Sequence, residues 1–267
     1  MRRPIGVFDS GIGGLTVAKE IMDILPSEDI VYFGDTARVP YGNKSKLTIE
    51  KFSLQISRFL ETENVKAIVI ACNTASAFAL DAVKDKFSVP VIGVINPGAR
   101  AAATTTKNNK IGIIGTEGTV SSGAYSKAVE NICNEIEIFS TPCPLFVPIV
   151  EEGWSEKEVS YMIAKEYLQN LKEIGVDSLV MGCTHYPLLN NVVQRVMGED
   201  VTLINPARET AIELRLILKD LNILNSEGDR GIYKYFVSDN AKKFVTVGER
   251  FLNRKIEDIV EIDIERY

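Results

Sequence analysis

Short, continuous apolar runs alternate with segments of helical period along most of the chain, and this rhythm restricts the fold more than any other feature. The strand-like runs are residues 5–9, 30–34, 67–71, 91–95, 111–115, 136–140, 178–182 and 201–204. They are continuous rather than alternating, as in parallel strands covered on both faces. Between them, residues 47–61 place apolar side chains at 49, 52, 56, 59 and 60, and residues 156–174 place them at 159, 162, 163, 167, 168 and 171. A helix starts near residue 75, another covers 241–251, and residues 232–237 read as a further strand. The β-then-α order predicts an α/β fold with mostly parallel sheets.

The rhythm also repeats. A-I-V-I-A-Cys72-Asn73-Thr74-A-S matches S-L-V-M-G-Cys183-Thr184-His185-Y-P, 111 residues later. I-G-V-F-D-S at 5–10 echoes I-G-I-I-G-T at 111–116, and V-I-N-P at 94–97 echoes L-I-N-P at 203–206. Three landmarks in the same order predict an internal duplication, hence two pseudo-symmetric domains. The residue before proline resists the helical region, so the crossovers fall at Asn96-Pro97 and Asn205-Pro206. The first domain then takes residues 1–96 and 207–267, and the second takes 97–206. Ligands of open α/β sheets bind beyond the carboxyl ends of the strands. An active site in an interdomain cleft, with Cys72 on one wall and Cys183 on the other, is therefore expected.

Composition narrows the function. A chain of 267 residues with 45% apolar content can bury a sizeable core. A net charge of −6 and the lack of any basic cluster beyond K-N-N-K at 107–110 argue against nucleic-acid binding. No leader-like start and no membrane-length apolar run occur, so a cytoplasmic protein without membrane association is expected. The cysteines at 72, 133, 143 and 183 show neither C-x-x-C nor zinc spacing, so they are expected as thiols, with no bound metal.

Cys72 and Cys183 stand out because each follows a strand and precedes a helical start. A helix N-terminus favours the thiolate, so a lowered pKa is expected. Cys133, next to a helical pattern over 126–132, and Cys143, between two prolines, read as inert. The loop Asp9-Ser10-Gly11-Ile12-Gly13-Gly14 lacks the G-K-[ST] of a P-loop and the G-x-G-x-x-G spacing of a dinucleotide site. Asp9 there suits a ligand ammonium or the biasing of a neighbouring thiol. Tyr41-Gly42 lies in the loop after the second strand and reaches the same cleft. His185, the single histidine, stands two residues from Cys183 and suits orienting or protonating it. Trp154 reads as a helix start. Inverting an α-carbon needs a base on one face of a planar carbanion and an acid on the other. Two matched thiols can exchange those roles, without a cofactor, since no PLP lysine motif is visible.

Five segments in order, F-D-S-G-I-G-G-L-T (8–16), Y-F-G-D-T-A-R-V-P-Y-G (32–42), A-C-N-T-A-S (71–76), F-V-P-I-V-E-E-G (146–153) and G-C-T-H-Y-P (182–187), make the chain resemble the glutamate racemases of the aspartate/glutamate racemase superfamily. The resemblance implies two flavodoxin-like domains and Cys72 and Cys183 as the catalytic acid/base pair, with Asp9 and His185 assisting. It implies substrate contacts from Asp9, Ser10, Tyr41, Gly42, Asn73, Thr74, Thr184 and His185, with Thr116 and Thr119 holding the α-carboxylate. Glu151 matches an acidic position near the cleft. The implied product is D-glutamate for peptidoglycan, made by a homodimer. A start at the first strand implies no muropeptide activator. Asn205-Pro206-Ala207-Arg208 departs from the Ser- or Gly-rich residues of many relatives.

Three other readings remain open on sequence: an aspartate racemase or related isomerase, a non-catalytic amino-acid-binding protein, and a disulfide oxidoreductase. The last lacks C-x-x-C.

Overall fold

The computed structural model describes residues 3–225 and 230–267. Residues 1–2, at the start read above as leaderless, and 226–229, inside the first domain assigned from sequence, lie outside the described residues. The chain divides into two compact units, Met1–Val94 with Ala207–Tyr267, and Ile95–Pro206.

The first unit opens with β1 (Ile5–Asp9), α1 (Leu15–Ile24), β2 (Ile30–Gly34), α2 (Lys46–Thr62), β3 (Ala67–Ile70), α3 (Asn73–Lys86) and β4 (Val91–Gly93). The second unit holds α4 (Ile95–Thr105), β5 (Lys110–Gly115), α5 (Glu117–Ser121), α6 (Ala124–Glu130), β6 (Glu137–Pro142), α7 (Phe146–Glu151), α8 (Glu158–Ile174), β7 (Ser178–Gly182), α9 (Asn190–Met197) and β8 (Thr202–Ile204). The chain then returns to the first unit through α10 (Pro206–Asp220), β9 (Tyr233–Val237), α11 (Ala241–Leu252) and β10 (Ile259–Glu261).

The strand orders are β10-β9-β2-β1-β3-β4 and β6-β5-β7-β8, and every strand pairing among the described residues is parallel. Shifted by four, β2-β1-β3-β4 becomes β6-β5-β7-β8, so the duplication seen in the sequence is present in the topology. β1, β2, β3 and β7 are buried along their whole length, as their unbroken apolar runs require. Gly6 of β1 lets α2 press close, since a Cβ there would lie 3.1 Å from the side chains of Leu60 and Val65.

Several local expectations change. The run 91–95 is strand only to Gly93, and α4 has begun by Ile95. Asn96-Pro97 therefore lies in the first turn of a helix, and Pro206 opens α10. Proline is tolerated there because a first-turn N–H lacks an intrahelical acceptor in any case. Trp154 does not start a helix. It sits in the turn between α7 and α8, 41% exposed, beneath the Lys157 ammonium at 4.6 Å. The edge strand β10 had no visible sequence signal. It is three residues long and pairs only through Ile259–Glu261.

A buried ion pair ties the returning segment to the first. Lys66 Nζ lies 2.6 Å from Glu28 Oε2, with the side chains 4% and 0% exposed. Lys66 also donates to the Ile223 carbonyl at 2.6 Å, while Asn225 donates its backbone N–H and its amide to Glu28 at 2.7 and 2.8 Å. Removing one partner of such a pair strands a buried charge. Lys66→Met is expected to lower stability by about 3–5 kcal/mol, read as a fall in the urea midpoint. An unchanged midpoint contradicts this role.

Candidate functional site

In the first unit the chemistry-bearing residues gather at the carboxyl ends of β1 and β3. These neighbouring strands flank the point where strand order reverses, the place where α/β sheets bind ligands. Asp9 ends β1 and is fully buried. Its Oδ2 accepts the Gly11 N–H at 2.9 Å. Tyr32, from β2, donates its hydroxyl to the Gly11 carbonyl at 2.8 Å. Gly14 is required beneath this loop, because a Cβ there would lie 2.4 Å from Asp9 Cβ and 2.9 Å from the Tyr32 hydroxyl.

Cys72 is itself the N-cap of α3, with its Sγ accepting the Ala75 N–H at 3.5 Å. Asn73 and Thr74 fill the buried first turn of that helix. The expected lowering of the thiol pKa does not occur: Cys72 is pushed up to about 11. Burial is the largest cause and the nearby Asp9 charge the second, while donors from Ala75 and Ser10 pull the other way and lose. A helix start favours a thiolate only where water or a cation supports the charge. Here apolar walls and a carboxylate oppose it.

Tyr41 and Gly42 close the loop after β2. The Tyr41 hydroxyl donates to Asp35 Oδ2, and its ring packs on Phe52 at 5.8 Å. Burial first, then Asp35, holds that hydroxyl well above the ordinary phenol value, with a smaller upward push from Cys72. The hydroxyl therefore stays neutral, and it lies close enough to Cys72 for the two groups to influence each other's ionisation.

In the second unit the equivalent ends of β5 and β7 carry the other residues. Thr116 follows β5 and caps α5, accepting the Thr119 N–H at 3.2 Å and donating to the Thr119 hydroxyl at 3.0 Å. Cys183 follows β7, 7% exposed, and its carbonyl accepts the Tyr186 N–H at the 3-10 turn Tyr186–Leu189, in which Pro187 takes a first position. Thr184 and His185 are equally buried. His185 Nδ1 lies 3.9 Å from Cys183 Sγ, and its Nε2 lies 3.3 Å from Glu151 Oε1, at the end of α7. The structure thus joins Glu151, His185 and Cys183 in one chain of contacts. Sequence spacing had shown only the last two as neighbours.

Of the remaining cysteines, Cys143 is buried, donates weakly to the Thr141 carbonyl at 3.7 Å, and has its pKa raised by burial. Cys133 lies beyond the end of α6, partly exposed. Among the described residues, no three of His, Cys, Asp or Glu cluster to hold a metal ion, and no helix is long and apolar enough to cross a membrane. Sequence reading passed over Tyr32, Asp35 and Arg38, although all lie in the segment Y-F-G-D-T-A-R. Asp35 and Arg38 pair with each other three residues apart, but their further partners Ser238 and Glu265 lie more than two hundred residues away.

Alkylation by iodoacetamide follows the thiolate. At pH 8, well below about 11, the Cys72 rate is expected to rise about tenfold per pH unit. Asp9→Asn removes one upward push and is expected to speed alkylation at pH 8 by at least about threefold. Peptide mapping by mass spectrometry reads both. A rate flat between pH 7 and 9 contradicts the raised value.

Residues 13–214 match the Asp/Glu/Hydantoin racemase family. The chain is 51% identical to the glutamate racemase of Geobacter metallireducens, over 98% of this chain and 97% of that protein. Among solved structures it is similar to a glutamate racemase from Bacillus anthracis, with a TM-score of 0.94 and 42% identity, covering 98% of this chain and 97% of that one. The Francisella tularensis glutamate racemase, solved in complex with D-glutamate, gives a TM-score of 0.93 and 42% identity over 100% and 99%. The duplicated parallel sheets, the paired cysteine segments and these likenesses together place the chain in the Asp/Glu/hydantoin racemase family.

Proposed function

We propose that the protein interconverts L- and D-glutamate without a cofactor, using Cys72 and Cys183 as the two acid/base groups. The observation that carries this reading is the equivalence of the two thiols: each follows the same strand of a duplicated sheet, and each has its own polar partners. One thiolate removes the α-proton while the second thiol returns one to the other face of the carbon, and the roles reverse for the other enantiomer.

The two partner sets do different work. At Cys72, a value of about 11 leaves roughly one thiolate in ten thousand at pH 7, so this sulfur rests as an acid. A substrate ammonium beside Asp9 would offset the carboxylate and remove one of the two upward pushes on the thiol. Conversion to a base is then coupled to binding. At Cys183, the His185 tautomer that donates Nε2–H to Glu151 has its Nδ1 lone pair facing the sulfur, at the contact distances of 3.3 and 3.9 Å. Proton transfer from sulfur to Nδ1 gives a thiolate–imidazolium pair, with Glu151 balancing the positive ring.

Ser10, Asn73, Thr74 and Thr184 supply hydroxyl and amide groups beside the thiols, and Thr116 with Thr119 suits the α-carboxylate. Because the Tyr41 hydroxyl is committed to Asp35, the contact of Tyr41 and Gly42 with substrate falls to their backbone. Donors aimed at the carboxylate stabilise the enolate-like charge that develops on it. D-glutamate made this way serves peptidoglycan synthesis in the cytoplasm, and we place the working enzyme as a homodimer.

Circular dichroism of L- or D-glutamate, with EDTA-treated protein and no added cofactor, tests the reading. Cys72→Ala and Cys183→Ala are each expected to slow racemisation by at least about a thousandfold, and His185→Gln by about ten- to a hundredfold. Wild-type turnover in either cysteine variant contradicts the two-thiol reading.

A further inference from the structure

The loop between β2 and Tyr41 is organised by one buried charge. Asp35 is fully buried. The Arg38 Nε faces both of its oxygens at 3.0 and 2.7 Å, the Ser238 hydroxyl donates to it at 2.8 Å, and the Tyr41 hydroxyl donates to it as well. Arg38 is 11% exposed and also turns its Nη1 to Gln55 at 2.6 Å and to Glu265 at 3.0 Å. Gln55 donates to the second Glu265 oxygen at 3.3 Å, and the guanidinium lies 4.0 Å over the Phe52 ring that packs on Tyr41.

Glu265 comes from the 3-10 turn Ile264–Arg266, 227 residues from Arg38. That turn is fixed in the same apolar cluster that holds Cys72 and Tyr41. Ile264 is buried there, the Tyr267 ring packs edge-on against Phe59 at 5.4 Å, and Arg58 donates to the Tyr267 carbonyl at 2.9 Å.

We propose that Arg38 is a positioning residue for the Cys72 half-site, and that Glu265 completes its setting by drawing the 3-10 turn onto the loop. Arg38 neutralises Asp35, Asp35 anchors Tyr41, and Tyr41 fixes the backbone of the Tyr41-Gly42 pair near Cys72. A guanidinium suits this task because its planar fork meets Asp35, Gln55 and Glu265 together. A lysine keeps the charge and loses the fork. The inference rests on Cys72 being a working thiol.

The test compares wild type, Arg38→Lys and Glu265→Gln in three measurements: steady-state glutamate racemisation, thermal midpoint, and Cys72 alkylation by iodoacetamide at fixed pH 9 with peptide mapping. Arg38→Lys is expected to raise KM by about tenfold or more, with a smaller fall in kcat. Glu265→Gln is expected to raise KM by about two- to fivefold, the factor a part-exposed ion pair is worth, while its midpoint stays within about 2 °C of wild type. Both variants are expected to alkylate faster at Cys72 as the loop loosens. A lower midpoint with wild-type KM and alkylation rate in both variants overturns the proposal. If Arg38→Lys does not fold, unchanged KM and alkylation in Glu265→Gln overturn it alone. Wild-type protein that fails to racemise glutamate overturns the function proposed above, and the alkylation comparison then still decides the role of Arg38.

Discussion

Parallel pairing sends the carboxyl ends of all the strands in a sheet to one edge, and where strand order reverses it leaves two adjacent ends whose following loops run to opposite faces. Both sheets of this protein meet that condition, at β1/β3 and β5/β7. The rest of the site depends on it. Asp9 and Cys72 come together because they end neighbouring strands 63 residues apart in sequence, and Thr116 and Cys183 occupy the equivalent ends of the second sheet. The glycines at 14 and 34 keep the first of these edges compact. A Cβ on Gly34 would lie 2.6 Å from the Gly11 carbonyl oxygen, too close for the loop to keep its course.

Within that frame the charge balance around each sulfur is different. Cys72 has two sets of donors and one carboxylate, all inside a buried setting, and burial with the carboxylate prevails. Such a thiol is a poor nucleophile at neutral pH and a strong base once ionised, which suits proton abstraction from carbon better than covalent chemistry. It also protects the sulfur from oxidation and alkylation in the free protein. Cys183 instead has an imidazole 3.9 Å away, backed by a carboxylate, a local acceptor for its proton. The two-thiol reaction proposed above can run on unlike partners of this kind, because it would ask each sulfur to serve as acid in one direction and as base in the other.

Much of this was legible in the sequence. Continuous apolar runs identified the buried parallel strands, and the repeated cysteine segments exposed the duplication. What the sequence did not carry were balances and distant pairs. The helix start at Cys72 was visible, but the size of the opposing burial depends on the apolar cluster around it, which draws on β1, β2, β3, β4, α2 and α3. The Glu151–His185 contact joins residues 34 apart, and the Arg38–Glu265 pair spans nearly the whole chain. β10 escaped notice because a three-residue edge strand has no period to detect, and Asn96-Pro97 gave no sign that α4 had already begun, because a proline is tolerated in the first turn of a helix.

The central claim is that two different groups handle the two faces of one α-carbon. The isotope content of glutamate during initial turnover of L-glutamate in deuterium oxide tests it most directly. With two bases, each D-glutamate formed carries deuterium at the α-carbon while recovered L-glutamate stays protonated, and the reverse reaction shows the same pattern. Deuterium entering recovered L-glutamate as fast as it enters product would mean that one group returns protons to both faces, and would contradict the account.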